Sequence, residues 1–390
     1  MISVIHPGCN ANLRAVVQAY EKEGILQELL TTMSFGKRRN FSIPENKLRL
    51  HPVKEIGRLI AERFRFKKLV QHEVGIFSVD RVWQDLDRWA SKRISLNSKV
   101  VYAYEDAALD SFRCAKQRGI KTIYDLPIGY WKASQEIYQE EAARFPEFAS
   151  LIGGLNDSRE KKERKEKELE SADRVHACSD FVKSTLTRYG YPEEKIRVMQ
   201  FGAPAVPWRS RECHQRNPAL KILFVGRIDQ RKGIGYLLKA MDSFDPKKVE
   251  FHMVGVKPKH LSALKPYWNR VVDHGILVQP KVWELMQGCD LLILPTLFEG
   301  QALVILEAMA CGLPVVVTPH AGVEQVVREG VEGFTIPIRS IEAITQKIEW
   351  GLKHPEERKK MGEAAFKRAQ EFTWEKYQQQ ILLSTSEVMG

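Results

Sequence analysis

The chain has 390 residues, 44% hydrophobic and 28% charged, an ordinary globular composition with length for two cores of the usual ~150-residue size. No run of ~18 apolar residues is present, which argues against a spanning helix, and six scattered cysteines without a C-x-x-C pair exclude a disulfide or zinc framework and fit the reducing cytoplasm. A formal net charge of +11 favours anionic partners, whether phosphates, nucleic acid or acidic lipid surfaces.

Along the chain, "MISVIHPG" is apolar from its first residues and reads as a buried strand rather than a signal peptide. Between Lys37 and Lys68, eleven basic residues stand against three acids, and "VKEIGRLIAERFRF" places Val53, Ile56, Leu59, Ile60 and Phe64 at helical spacing. Such a segment suits a helix lying on an anionic membrane surface, and it equally suits a core-facing helix with a solvated basic side. The triplet Asp85 to Asp87 spells a metal-binding "DLD", but its helical periodicity and the lack of a preceding strand speak against that role. "LLTTMS", "KVVYAYED", "KTIYDLP" and "DRVHACS" continue the strand pattern with helices between them. "REKKERKEKELE", Arg159 to Glu170, reads as a solvated helix with surface pairs Glu160–Arg164 and Glu163–Lys167.

The Pro-rich, polar stretch from Pro204 to Pro218 marks a domain junction. Beyond it "KILFVGR", "VEFHMVG", "NRVVDHG", "DLLILPT" and "PVVVTP" alternate with the helical patterns "GIGYLLKAM", "PKVWELMQGC" and "ALVILEAMACG". Near-continuous apolar strands separated by helices predict α/β architecture, with two doubly wound parallel sheets facing a cleft.

Ligands of such sheets sit at the carboxyl ends of strands. In "FVGRIDQRKG", Gly226 permits close backbone approach, and Arg227 and Lys232 are candidates to neutralise a diphosphate; the alternative is surface charge on a loop. In "LPTLFEGQALVILEAMACG", Glu299 occupies the exit loop of a strand, where a carboxylate accepts hydrogen bonds from substrate hydroxyls. The N–H groups of Gly300, Gln301, Ala302 and Leu303 are expected to open the following helix toward phosphate oxygens, and Glu307 suits a ribose diol. The bland alternative is that Glu299 merely favours the helix dipole and Glu307 pairs with a neighbouring base.

"EGQALVILE" is the E-x7-E pattern of retaining glycosyltransferases with the GT-B fold, and the stretch from "LPTLFEG" to "VEGF" resembles glycosyltransferase family 4. "FVGRIDQRKG" is similar to that family's Gly-Arg…Lys-Gly loop, "ADRVHACSDFVKSTLTRYGYPEEKIRVMQFG" to its segment before the linker, and "FTWEKYQQQIL" to its final crossing helix. The resemblance covers about Ala172 to Leu382. It implies two Rossmann-like domains, at 1–205 with a crossing helix at about 375–390, and at 206–374. It also implies transfer, with retention and without a metal or other cofactor, from a nucleotide-sugar donor to a glycan or glycolipid hydroxyl. Arg227 and Lys232 would hold the diphosphate, Glu299 the donor sugar and Glu307 the ribose, with the base near Gly255 and His274 to Ile276 on backbone contacts.

The first domain departs from the family. Only Gly8 stands where a Gly-rich loop is common, and "TIYDLPIGYW" supplies Asp125 in place of a His; Asp125 either orients an acceptor hydroxyl or caps the turn before Pro127. No nucleic-acid partner is expected, because aromatics are not interleaved with bases. Cytoplasmic placement is expected from the scattered cysteines, and the basic 37–68 stretch adds the reading of peripheral attachment at the inner membrane face. The competing classes are a nucleotide-sugar epimerase of the same fold and a noncatalytic phosphate- or nucleic-acid-binding protein.

Overall fold

In the computed structural model, residues 1–33, 41–155, 157–207, 219–258 and 262–390 are described. Lys37, Arg38 and Arg39 lie outside them, as does most of the Pro204 to Pro218 junction. The first sheet contains β1 (Ile2–His6), β2 (Leu26–Thr31), β3 (Leu48–Leu50), β4 (Val100–Tyr104), β5 (Lys121–Leu126), β6 (Arg174–Ala177) and β7 (Ile196–Val198). All pair in parallel, in the order β3-β2-β1-β4-β5-β6-β7. Its helices are α1 (Ala11–Lys22), α2 (Val53–Arg63), α3 (Val79–Ser91), α4 (Leu109–Gln117), α5 (Trp131–Arg144), α6 (Arg159–Glu170) and α7 (Asp180–Thr187).

The second sheet holds β8 (Leu220–Val225), β9 (Val249–Val254), β10 (Val271–Asp273), β11 (Leu291–Leu294), β12 (Val315–Val317) and β13 (Gly333–Thr335), again all parallel, in the order β10-β9-β8-β11-β12-β13. It is flanked by α8 (Ile234–Met241), α9 (Gln279–Gly288), α10 (Leu303–Ala310), α11 (Ile341–Lys353) and α12 (Pro355–Ala369), and the chain ends in α13 (Trp374–Met389). The central strands are mostly buried, as apolar runs covered on both faces by helices must be. The short strands β3, β7 and β13 are not among the sequence-predicted strands, because three residues are too few to show a period.

The last helix returns to the first domain. On α13, Thr385 shares a hydrogen bond with Tyr20 of α1 at 2.7 Å, and Ser384 shares one with His176 of β6 at 2.9 Å. The backbone closes the same seam where Ala203 N–H donates to Phe372 O.

Two charged helices differ from expectation. On α6, Glu168 is fully buried and accepts the amides of Asp106, Ala108 and Leu109, while Arg164 pairs with Asp87, Asp110 and Glu168 rather than with Glu160. Lys161 and Lys165 likewise reach Asp80 and Glu105, so one stripe of this helix is a polar core in which each of these cations meets a carboxylate, a pattern invisible to hydrophobic periodicity. Only Glu163–Lys167 of the two expected surface pairs forms, at 4.0 Å. "DLD" lies on α3, where Asp87 is buried against Arg164 and the amides of Asp110 and Ser111.

On α2, Ala61 is the only buried residue, so the core-facing alternative is overturned. Val53, Leu59 and Ile60 of that helix stand exposed, with Phe64, Phe66, Val74 and Ile76 beyond it. Gly57 packs against Phe77, which brings the 74–79 segment beside the helix.

Candidate functional site: a cleft at the second sheet's switch point

Strands β8 and β11 are neighbours from which the second sheet winds outward in opposite directions, and their exit loops border a cleft of about 470 Å³. After β8, Gly226 takes φ +152°, and a Cβ on its neighbour Gly255 would fall 1.7 Å from Gly226 O. These two glycines let the ends of β8 and β9 close together and leave bare backbone at the cleft wall.

The loop then turns on Asp229, whose carboxylate accepts the Lys232 N–H at 3.0 Å. This turn aims Arg231 and Lys232 at the exit loop of β11. Arg231 Nη1 lies 2.6 Å from Glu299 Oε2 and also donates to Phe298 O, Lys232 Nζ contacts the same Glu299 oxygen, and Leu297 N–H donates to Arg231 O. Burial alone would raise the Glu299 pKa, but Lys232 and Arg231 outweigh it and hold the carboxyl at about 2. Burial pulls the Lys232 ammonium below its ordinary value, against Glu299 and with Arg231. Arg227 extends into solvent, with Asp229 at 4.0 Å. Three cations against Glu299 and Asp229 leave this corner positive, which suits an anionic ligand.

Gly300 sits where a Cβ would meet Pro127 O at 1.9 Å; it bridges Ile128, and its carbonyl accepts from Ser179 Oγ at 2.7 Å. It therefore closes the loop against the first domain instead of lining the cleft. The chain stays extended through Ala302, whose amide donates to Ala321 O, and α10 begins at Leu303. The expected row of open amides from Gly300 thus shortens to the first turn of α10, where no side chain caps the helix and Leu303 and Val304 line the cleft. Gln301 lines it too, while its side chain accepts from Phe201 N–H at 2.7 Å and donates to Gln200 Oε1. Glu307 faces the same cleft; burial raises its pKa against a hydrogen bond from Gln279. The opposite wall is apolar, built from Val225, Val254, Val256, Ile276, Leu277 and Val282.

Arg227, Lys232, Glu299, Glu307, Gly226, Gln301, Ala302 and Leu303 therefore share one cleft. Gly8 and Asp125 belong to the other sheet. Gly8 follows β1 and donates its N–H to His6 Nδ1 at 2.9 Å. Asp125 is buried on β5 against the Tyr102 hydroxyl; burial lifts its carboxyl to about 7, with Tyr102 opposing and Glu105 assisting. Arg231 and Gln279 were missing from the sequence-based set. Arg231 adjoins Lys232, and nothing in a loop without periodicity tells which of two adjacent cations turns inward. His274 does not line the cleft; it is hydrogen-bonded to His252 at 2.9 Å.

The family model for glycosyl transferases group 1 matches residues 209–368. An uncharacterised glycosyltransferase of Methanocaldococcus jannaschii is 26% identical over 185 residues, 42% of this chain and 45% of that protein, and the curated relatives are matched over about half their length. Among solved structures, sucrose-phosphate synthase from Thermosynechococcus elongatus superposes with TM-score 0.72 at 16% identity, covering 99% of this chain and 98% of the other. HepE of Anabaena, solved with UDP-glucose, superposes with TM-score 0.65 at 17% identity, covering 99% of each chain. The two parallel-sheet domains are a GT-B fold, and residues 209–368 within it are similar to the glycosyl transferases group 1 family.

Proposed function

We propose that this chain is a glycosyltransferase of the retaining, family 4 kind, moving a sugar from a nucleoside-diphosphate sugar to a hydroxyl of a glycan or glycolipid. The observation that carries the proposal is the convergence of Arg227, Lys232, Glu299 and Glu307 with the open first turn of α10 on one cleft. HepE, similar in fold, is solved with UDP-glucose, which makes uridine diphosphate sugars the first donors to try.

In the proposed complex the apolar wall from Val225 to Val282 takes the base, Glu307 accepts the ribose hydroxyls, and the diphosphate lies between the α10 amides and the cations. Without a donor, Arg231 and Lys232 are occupied by Glu299. A diphosphate competes for them, and the freed Glu299 carboxylate turns to the sugar hydroxyls. Cleavage of the glycosidic bond builds charge on the leaving phosphate, which fixed cations and helix amides stabilise. Those groups meet the charge without a metal ion, so transfer is expected to persist in a chelator. Peripheral attachment at the inner, anionic membrane face, through the exposed apolar and basic surface within 53–68, would bring a glycolipid acceptor to the cleft.

The deciding experiment is a panel of nucleotide sugars offered in excess EDTA, with binding read by calorimetry and turnover by nucleotide release. Tight binding of one donor with hydrolysis or transfer supports the proposal. Binding of none would sink it, and salt-sensitive polymer binding without nucleotide dependence would favour the noncatalytic class.

A further inference from the structure

We propose that Glu141, on α5 of the first half of the chain, is the positioning residue for the loop that carries Arg231 and Lys232. The inference deepens the transferase proposal and rests on it for its kinetic consequence. Glu141 is fully buried, and among the described residues its three side-chain hydrogen-bond donors all come from the second domain. Gln230 Nε2 reaches Oε1 at 2.7 Å, Tyr236 Oη reaches Oε2 at 2.9 Å, and Arg339 Nε reaches Oε2 at 3.0 Å.

Gln230 is the link to the site. It is itself fully buried, it immediately precedes Arg231, and its Oε1 accepts the Gly235 N–H at 2.9 Å. One side chain thus spans both ends of the turn, and Glu141 holds that side chain in place. The same helix touches the opposite loop, where the Tyr138 ring meets Phe298, the neighbour of Glu299, edge-on at 5.9 Å. Arg339 is itself fastened to α5, through Glu140 at 2.7 Å and Ile137 O at 3.0 Å. A carboxylate taken wholly out of water is costly unless every lone pair is matched, and here one of the matching donors belongs to the phosphate loop.

A buried interdomain ion pair serving stability alone would be indifferent to the shape of that loop. The hydrogen-bond pattern separates the two roles, because it survives exchange of the two side chains. In Glu141→Gln combined with Gln230→Glu, the amide oxygen still accepts from Tyr236 and Arg339, the amide NH2 donates to the new carboxylate, and that carboxylate still accepts from Gly235 N–H. Glu141→Gln alone sets two NH2 groups face to face, leaves the Gly235 amide unmatched, or turns its own NH2 onto the Arg339 N–H donor.

The test is hydrogen–deuterium exchange of the amides from Arg231 to Gly235 in the ligand-free chain, with kcat and KM for the donor measured in parallel. Glu141→Gln is expected to speed loop exchange by about ten-fold and to lower kcat by about ten-fold, and the double variant is expected to restore both. Tyr236→Phe removes a donor from the same carboxylate without touching the loop; it is expected to lower Tm while leaving loop exchange near wild type. Wild-type loop exchange in Glu141→Gln, or a double variant no closer to wild type than either single one, would overturn the inference. The exchange readout needs no ligand, so a wild-type chain that binds no nucleotide sugar would remove the transferase proposal without deciding this one.

Discussion

Arg231 Nη1 stands 2.6 Å from Oε2 of Glu299, and Lys232 Nζ contacts the same oxygen, so the carboxylate and the two cations are already one cluster. The two loops it joins leave adjacent strands, β8 and β11, and nothing closer in sequence than 67 residues separates Glu299 from Lys232. Removing one cation leaves the other on Glu299. Lys232→Ala is therefore expected to fold, while transfer falls by about 10²- to 10³-fold because one fixed cation facing the leaving phosphate is lost. Nucleotide release with the preferred donor, checked against an unchanged near-UV spectrum, measures this.

Glu307 has a different role and should fail differently. Its carboxylate lines the cleft beside Gln279, away from the Glu299 cluster's ion pairs. Glu307→Ala should weaken nucleotide-sugar binding by about 1.5 to 3 kcal/mol, the usual worth of hydrogen bonds to a charged group. Calorimetry that finds undiminished affinity would refute the ribose assignment.

The Glu299 cluster also has an acid signature. With its carboxyl held at about 2 against an ordinary 4.5, the folded chain binds fewer protons than the unfolded one between those values. The stabilisation is present above pH 4.5 and is lost as pH falls toward 2, an effect of about 3 kcal/mol at most. Glu299→Gln should therefore flatten the loss of stability across this window in acid-dependent denaturant titrations.

Asp125 has the opposite sign. Burial lifts its carboxyl from 3.8 to about 7, so the folded chain holds the extra proton and stability declines as pH rises through that range. Asp125→Asn keeps a partner for the Tyr102 hydroxyl and removes the titration. Its Tm relative to wild type is expected to rise between pH 4 and pH 8, by about 4 °C or more for a gain of up to about 4 kcal/mol. A Tm difference that does not change with pH would show that Asp125 stays charged in the fold.

Arg63, Arg65, Lys67 and Lys68 are exposed, and no carboxylate lies within 4.0 Å of them among the described residues, whereas Arg58 and Lys54 are paired with Glu55 and Asp85. Beside these unpaired cations stand exposed Ile60, Phe64 and Phe66. Wild-type chain should float with vesicles containing anionic lipid and be released by salt, and Phe64→Asp with Phe66→Asp should reduce the bound fraction by about ten-fold. Equal flotation of the variant would place the contact elsewhere.

Much of this was determined by sequence alone. Apolar runs such as "KILFV" and "DLLIL", set between helical periods, can be buried only as parallel strands covered on both faces, and that architecture puts Gly226, Arg227, Lys232 and Glu299 at strand ends where ligands bind. Tertiary structure decided the rest. Whether Arg231 turns inward, whether the α10 amides open at Gly300 or at Leu303, and whether the charges of α6 face water or one another depend on contacts between distant segments. The physical reason is that apolar burial repeats with the period of the backbone and is legible along the chain. A buried charge is tolerated only where its partner arrives from elsewhere, as Gln230, Tyr236 and Arg339 arrive at Glu141, and no local pattern records that arrival.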